Sequence, residues 1–497
     1  MTRSQTATKF LLITSLFFIF SFSPACSAAT LIGDYPNKSS ILEQAYERYR
    51  EASISERRFK YDSVIDLVTN RKGNFEVESV GKSVAGKPVY QMTIGTGSTK
   101  VMLWSQMHGN ESTATMALFD IFNFLEGKND GFDNIRNKLL DNLTLRFIPM
   151  VNPDGMDEWT RRNALDIDLN RDALALASPE AVLLKNARDD FSPEFGFNLH
   201  DQQIYYTAGE TRTPATISVL APAFNFETEV NDVRKKAMQV IVGMNKLMQE
   251  VAPGHVGKYD DAFEPRAFGD NFQKWGTSTI LIESGGYPND PEKQQIRKLN
   301  FMIMLHALLE IAEQKYTAHS LDDYYSIPDN ATRLMDLVVR NVQMKYLDHE
   351  YKVDLGIRRR ETDANGSFFV TGAIDDLGDL SIFYGYEELD ASGLEIVEGK
   401  VFEQEFAKVS DITPDKALEL LNAGYLAIKV KEAQDRELHN LPIWLLKTAK
   451  NYPKGLRTGN NPSFFLAQNG KLKYAIVNGY LIDLQNPPKT KWMMRVI

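Results

Sequence analysis

The chain has 497 residues, 43% hydrophobic and 25% charged, which is a globular composition too long for one ordinary core. Its formal net charge is −10 and it carries no long basic run, which argues against a general nucleic-acid binder. Cys26 is the single cysteine, so no disulfide can form within one chain.

Residues 1–29 have the order of a secretory signal. Arg3 and Lys9 precede an apolar run from Phe10 to Phe22, and small residues follow from Ala25 to Ala29. The run is shorter than a membrane-spanning helix needs, and no later stretch reads as a span. Three fates follow for this segment: cleavage near Ala28 or Ala29, lipid attachment at Cys26, for which Ser23 is a poor fit to the usual aliphatic position, or retention as an uncleaved anchor. The expected location is secreted or periplasmic, with an outer-surface lipoprotein as the variant.

Residues 40–57 carry Ile41, Tyr46 and Tyr49 among charges and predict a helix. A strand-turn-strand follows: Phe75, Val77 and Val80 lead to Gly81, then Gly86-Lys87-Pro88, then Val89 to Ile94. Val101 to Trp104 is a short apolar run, as expected of a strand covered on both faces. Ala114 to Leu125 has helical spacing. Leu143 to Val151 predicts a strand ended by the turn signal Asn152-Pro153-Asp154-Gly155. Phe195 to Leu199 and Thr279 to Ile282 are further short strands, separated by helical patterns at 179–188, 227–251 and 291–314. Alternating strands and helices predict an α/β domain over residues 40–315, with a mostly parallel mixed sheet flanked by helices.

Residues 320–497 predict a smaller β-rich region of one or two domains. Phe368 to Val370 and Leu394 to Val397 are β-like, and Asn478-Gly479 between Tyr474–Val477 and Tyr480–Leu484 signals a hairpin. Helical patterns at 331–345 and 414–423 interrupt the strands. No internal repeat or low-complexity tract is present.

Chemistry concentrates in four pieces that directly follow, or lie close to, strand-like stretches: His108-Gly109-Asn110-Glu111, Asp168-Leu169-Asn170-Arg171, Asn198-Leu199-His200 and Ile282-Glu283. A hydrolytic zinc takes three protein ligands and leaves one position open. His108 and Glu111 on one turn, with His200, can supply the three. The bland alternatives are a first-turn helix charge for Glu111, an ordinary polar strand end for His200 and an ion pair for Glu283. Their joint occurrence at strand ends, where open α/β sheets place their sites, favours the functional reading. His306 lies in an apolar helix and is expected in the core. His255, His319, His349 and His439 have no partner pattern and are expected at the surface.

At these residues the chain resembles the zinc carboxypeptidases of the carboxypeptidase A-like family, over about residues 60–315. The ordered set includes Gly81-Lys82-Ser83 with Gly86-Lys87-Pro88, the His-x-x-Glu turn, Asn152-Pro153-Asp154-Gly155, Arg161, Asp168 to Arg171, His200 and Glu283. The resemblance implies one zinc ion held by His108, Glu111 and His200, with Glu283 as general base and Arg161 stabilising the oxyanion. It also implies that Asn170 and Arg171 hold the free C-terminal carboxylate of a peptide, and that Asp168 accepts a hydrogen bond from the His108 ring. Two departures stand out. Tyr259 is the best-placed candidate for the family's mobile-loop tyrosine, but Asp260 to Asp270 breaks the pattern and that role is unassigned. Asp201 after His200 adds an acidic group where the pancreatic-type enzymes are smaller.

Arg266 and Asp270, in the loop before Glu283, predict opposite preferences for the terminal side chain. The expected activity is therefore that of a zinc metallocarboxypeptidase. The alternatives are a zinc deacylase of N-acyl amino acids or cell-wall peptides, and a surface protein that binds peptide C-termini without cutting them. The presence of Glu283 and all three ligands disfavours the last.

Overall fold

The computed structural model describes Met1 and residues 38–497, apart from residues 72, 74, 365 and 454. The leader and Cys26 lie outside the described residues. Among those described, no helix is long and apolar enough to cross a membrane.

The N-terminal half is built on an eight-stranded mixed sheet. Its strands are β1 (Glu76–Lys82), β2 (Pro88–Ile94), β3 (Thr99–Ser105), β4 (Leu143–Ile148), β5 (Phe195–Asp201), β7 (Ile217–Leu220), β8 (Val256–Lys258) and β9 (Ser278–Ser284); β6 (Tyr206–Ala208) stands outside it. The order across the sheet is β1-β2-β4-β3-β5-β9-β7-β8. The inner four, β4-β3-β5-β9, run parallel, while β2 and β7 join them antiparallel.

Strands covered on both faces need apolar residues at every position, and β3 shows why its run is continuous. Val101 and Leu103 enter one core with helices Thr113–Glu126, Asp232–Val251 and Gln294–Ala312. Met102 and Trp104 alternate to the other face and pack with Leu184, Phe268 and Phe272 from helices Pro179–Phe191 and Phe268–Lys274.

Several boundaries differ from the sequence reading. Helix Lys38–Tyr49 stops well before residue 57. The long helix expected from 227 begins at Asp232, because the Asn231 side chain caps it by accepting from Arg234 N at 2.9 Å. Asn152-Pro153-Asp154-Gly155 is a helix start rather than a plain turn. Asn152 Oδ1 accepts from Gly155 N at 2.9 Å, and Pro153 occupies the first turn of helix Pro153–Glu158.

The C-terminal half continues with β10 (Asn330–Thr332), β11 (Leu334–Tyr346), β12 (His349–Ala364) and β13 (Ser367–Gly378). These last three join strands 395–397, 464–468, 471–477 and 480–483 in one sheet. The 478–479 turn closes the expected hairpin, with Val477 opposite Tyr480. A small parallel three-stranded sheet packs with helix Pro414–Asn422. The helix expected at 331–345 is β11 instead. Leu334, Leu337 and Val338 mimic helical spacing, but Met335, Val339 and Val342 are buried as well. A strand covered on both faces, rich in β-branched valine, accounts for all six.

One buried ion pair ties the helical layer together. Arg297 donates from Nε to Asp120 Oδ2 at 2.7 Å and from Nη2 to Asp120 Oδ1 at 2.5 Å, with both residues fully buried. Its remaining donors reach Ile54 O at 2.6 Å and Glu51 O at 2.9 Å, anchoring the chain that leads in from the first helix. Removing one partner leaves a buried charge unmatched, so Arg297→Leu is expected to cost about 3–5 kcal/mol, read by urea denaturation.

Candidate metal centre and its cleft

Three neighbouring parallel strands bring the site together at their C-terminal ends. β3 ends at Ser105, and Gln106 adopts a left-handed φ of 47° that turns the chain into His108. The turn is held by Gln106 Nε2 donating to Gly109 O at 2.9 Å, and by Asn152 Nδ2 donating to Met107 O at 3.2 Å. Gly109 lies directly on the backbone of Gly155 and Met156, where any Cβ would overlap them. The Asn-Pro-Asp-Gly segment is therefore the floor on which the His108–Glu111 turn rests. Asp154 accepts from Ser83 Oγ at 2.7 Å and Ala85 N at 2.8 Å, so it also fixes the β1–β2 turn beneath.

The structure places His108, Glu111 and His200 in one buried cluster. His108 Nδ1 lies 3.0 Å from His200 Nδ1 and 2.8 Å from Glu111 Oε1, and His200 Nδ1 lies 2.7 Å from Glu111 Oε2. These are the only three His, Cys, Asp or Glu residues among those described whose ligand atoms all lie within 4.8 Å of one another. Two imidazoles and a carboxylate form a zinc donor set with a position left for water. His108 Nε2 faces Asp168 Oδ1 at 3.1 Å, which fixes the tautomer that frees Nδ1 toward the cluster. His200 Nε2 is buried with no hydrogen-bond partner.

The charges in the cluster answer one another. Burial alone would raise the Glu111 carboxyl, but His108 and His200 hold it well below the usual carboxylate range. Burial lowers His200, while in His108 the opposing pull of Glu111 and Asp168 outweighs burial and raises it. Asp168 is likewise held low against burial by His108 and Arg161. Glu283, directly opposite His200 in the β5–β9 register, is buried near Glu111 and Asp201, and all three influences push its carboxyl well up.

Arg161 stands over the cluster. Its Nε donates to Asp168 Oδ2 at 2.9 Å and its Nη1 to Glu111 Oε1 at 3.3 Å. Asn170 and Arg171 lie on the same cleft of about 440 Å³, together with Glu283, Tyr206 and Tyr259. Asn170 Oδ1 accepts from Phe268 N at 2.8 Å, and Arg171 Nε pairs with Glu264 Oε2 at 3.2 Å.

The loop before Glu283 resolves one of the sequence alternatives. Asp270 lines the cleft, whereas Arg266 is exposed and paired with Glu264 at 2.8 Å. Burial pushes the Asp270 carboxyl up to about 7. Asp201 is neutralised inside the protein, accepting from Lys293 Nζ at 2.9 Å and Thr113 Oγ1 at 2.5 Å. It lines the cleft as a paired carboxylate, with its Oδ1 left without a hydrogen-bond partner. Tyr259, left without a role from sequence, lies on the cleft wall; burial and then Glu283 raise its hydroxyl. Tyr206 also lines the cleft and carried no sequence signal, because β6 is too short to show a period, and Gln202, in the segment after His200, lines it too.

The other histidines divide. His306 is buried as expected and His349 is exposed. His439, expected at the surface, is buried by the pairing of Leu438–His439 with Met494–Arg495. His319 is held at 2.8 Å from Glu310 Oε2 rather than standing free.

Comparison with known proteins locates the likeness in this half of the chain. The family model described as zinc carboxypeptidase, peptidase M14, matches residues 61–214. Carboxypeptidase 2 of Trichophyton equinum is 25% identical over 203 residues, which is 38% of this chain and 34% of that protein. Carboxypeptidase SOL1 of Arabidopsis thaliana is 30% identical over 100 residues, 19% of this chain and 20% of its own. The chain thus spans about a third or less of the length of the curated relatives it matches. A metallo-carboxypeptidase structure from Burkholderia cenocepacia aligns over 52% of this chain and 70% of its own, at 18% identity and a TM-score of 0.42. Residues 61–214, which hold both cluster histidines and Glu111, are the part of the chain that matches the zinc carboxypeptidase family.

Proposed function

We propose that this protein is a zinc-dependent carboxypeptidase that removes the C-terminal residue of peptides. The observation that carries the reading is one cleft holding the His108–Glu111–His200 donor set, Glu283 opposite His200 and two arginines. A zinc ion held by that set supplies Lewis acidity, polarising a carbonyl and making water acidic near neutral pH. Glu283 takes the proton of the attacking water and passes it to the leaving amine. Burial, with Glu111 and Asp201 nearby, raises its carboxyl, the direction that favours holding the proton between those two transfers. Arg161, already aimed at the cluster, faces the oxygen on which negative charge develops. Arg171 presents a planar fork to the terminal carboxylate, Glu264 keeping it oriented, and Asn170 stands beside it. Asp168 preserves the His108 tautomer throughout.

The cleft also supports a substrate preference. Asp270 is the carboxyl available to the terminal side chain, since Arg266 is held away by Glu264. A cationic Lys or Arg side chain offers that half-buried carboxyl the partner it lacks. The apolar leader supports secretion, which would place the activity outside the cytoplasm.

Mass spectrometry of a mixed peptide library, with and without a zinc chelator, tests the reading. Single C-terminal residues should be lost, and chelation should stop the loss. Release of amino acids from acylated substrates alone would favour the deacylase instead. Glu283→Gln should slow release by about 10²–10⁴-fold while zinc content stays stoichiometric. Asp168→Asn should weaken zinc binding by about 10–100-fold, measured by competition with a chromophoric chelator. Asp270 is neutral below its pKa of about 7 and ionised above it. The ratio of kcat/KM for Arg-ended over Met-ended peptides should therefore rise as pH increases through 7, and Asp270→Asn should flatten that rise.

A further inference from the structure

The cleft wall beyond the metal cluster is held by a segment outside the family match. β10, at the entry to the C-terminal half, pairs antiparallel with β6, setting Thr332 opposite Tyr206 and Asn330 opposite Ala208. On its other side the same segment meets β8. Lys258 N donates to Pro328 O at 2.7 Å, and Lys258 Nζ pairs with Asp329 at 3.0 Å. β6 carries Tyr206, and β8 leads straight into Tyr259. The two rings meet edge-on at 6.2 Å on the cleft wall. One strand therefore joins the two pieces of chain that present the cleft's tyrosines.

Asn330 closes a directional ring of hydrogen bonds. Its Nδ2 donates to Gln202 Oε1 at 3.0 Å, Gln202 Nε2 donates to Ser218 Oγ at 2.7 Å, and Ser218 Oγ donates back to Asn330 Oδ1 at 2.9 Å. Gln202 Nε2 also reaches Ala215 O at 2.8 Å. Gln202 lines the cleft two residues after His200, and its N–H donates to Ser284 O at 3.0 Å. Ser218 is the register partner of Glu283 across β7 and β9. The ring thus ties β10 to the ends of the strands that carry His200 and Glu283. Space for it is made by Gly257, where a Cβ would collide with Asn330 Oδ1. Each member both gives and takes a bond, so losing one leaves buried polar groups unmatched.

We propose that Asn330 is a positioning residue for the cleft, acting through Gln202 and β6, so that one wall of the substrate site depends on the C-terminal half of the chain. This rests on the carboxypeptidase reading. The residue touches neither the metal donors nor the scissile bond, so its loss should loosen substrate binding rather than metal binding.

The test uses Asn330→Ala in the full chain. On the best peptide substrate, kcat/KM should fall about ten-fold, with most of the loss in KM and zinc stoichiometry unchanged. Amide hydrogen exchange should accelerate about ten-fold in residues 203–208 and 258–262 while β3 keeps its protection. Adding Ser218→Ala, at a buried ring member that does not line the cleft, should cause no further loss, because both changes open the same ring. Unchanged kcat/KM, exchange that rises equally in β3, or losses that add in the double variant would each overturn the proposal. If Asn330→Ala does not fold, Ser218→Ala opens the ring from within the sheet and must give the same KM and exchange pattern. If the unmodified protein releases nothing from any peptide, the carboxypeptidase reading falls, and the exchange pattern alone decides the positioning role.

Discussion

In the register that pairs β5 with β9, His200 stands opposite Glu283 and Asn198 opposite Leu281. Side chains alternate faces along a strand, so a slip of one residue would carry either group to the wrong side of the sheet. Everything else at the site is arranged around this pairing. β3 runs alongside β5, and its exit loop folds back to set His108 and Glu111 beside His200. Helices on both faces pack against the three strands, whose buried positions are mostly apolar.

That pairing also puts unlike and like charges close together in a buried space. The arrangement is tolerable because each carboxylate meets its own cation or donor. Glu111 has the two imidazoles, Asp168 has His108 and Arg161, and Asp201 has Lys293. Glu283 has no such close partner, and its carboxyl is correspondingly raised. The general-base role proposed for Glu283 draws on this difference from its paired neighbours.

The short apolar runs at 101–104, 195–199 and 279–282 were legible as strands because burial on both faces leaves a continuous signature. His200 and Glu283 were legible because they stand at the ends of two of those runs and His108 because it follows the third closely, whereas Arg161, Asp168, Asn170 and Arg171 took their roles from the family resemblance. Other features left no local trace. β11 carries leucines at helical intervals, and only tertiary burial of its remaining positions makes it a strand. Tyr206 sits on a short strand that pairs with β10, far away in sequence. Whether Asp270 or Arg266 faces the cleft depends on Glu264, which captures the arginine, a contact that spacing alone cannot reveal.

The stitching of β10 between β6 and β8 bears on how the protein comes into being. A chain made from its N-terminus has the strands bearing His108, His200 and Glu283 in hand well before residue 330 appears. Domains tend to fold as they emerge, so the sheet can form while its cleft still lacks a wall. Completion of that wall then waits on residue 330, about two thirds along the chain, and a shorter chain carries the His108–Glu111–His200 cluster without it.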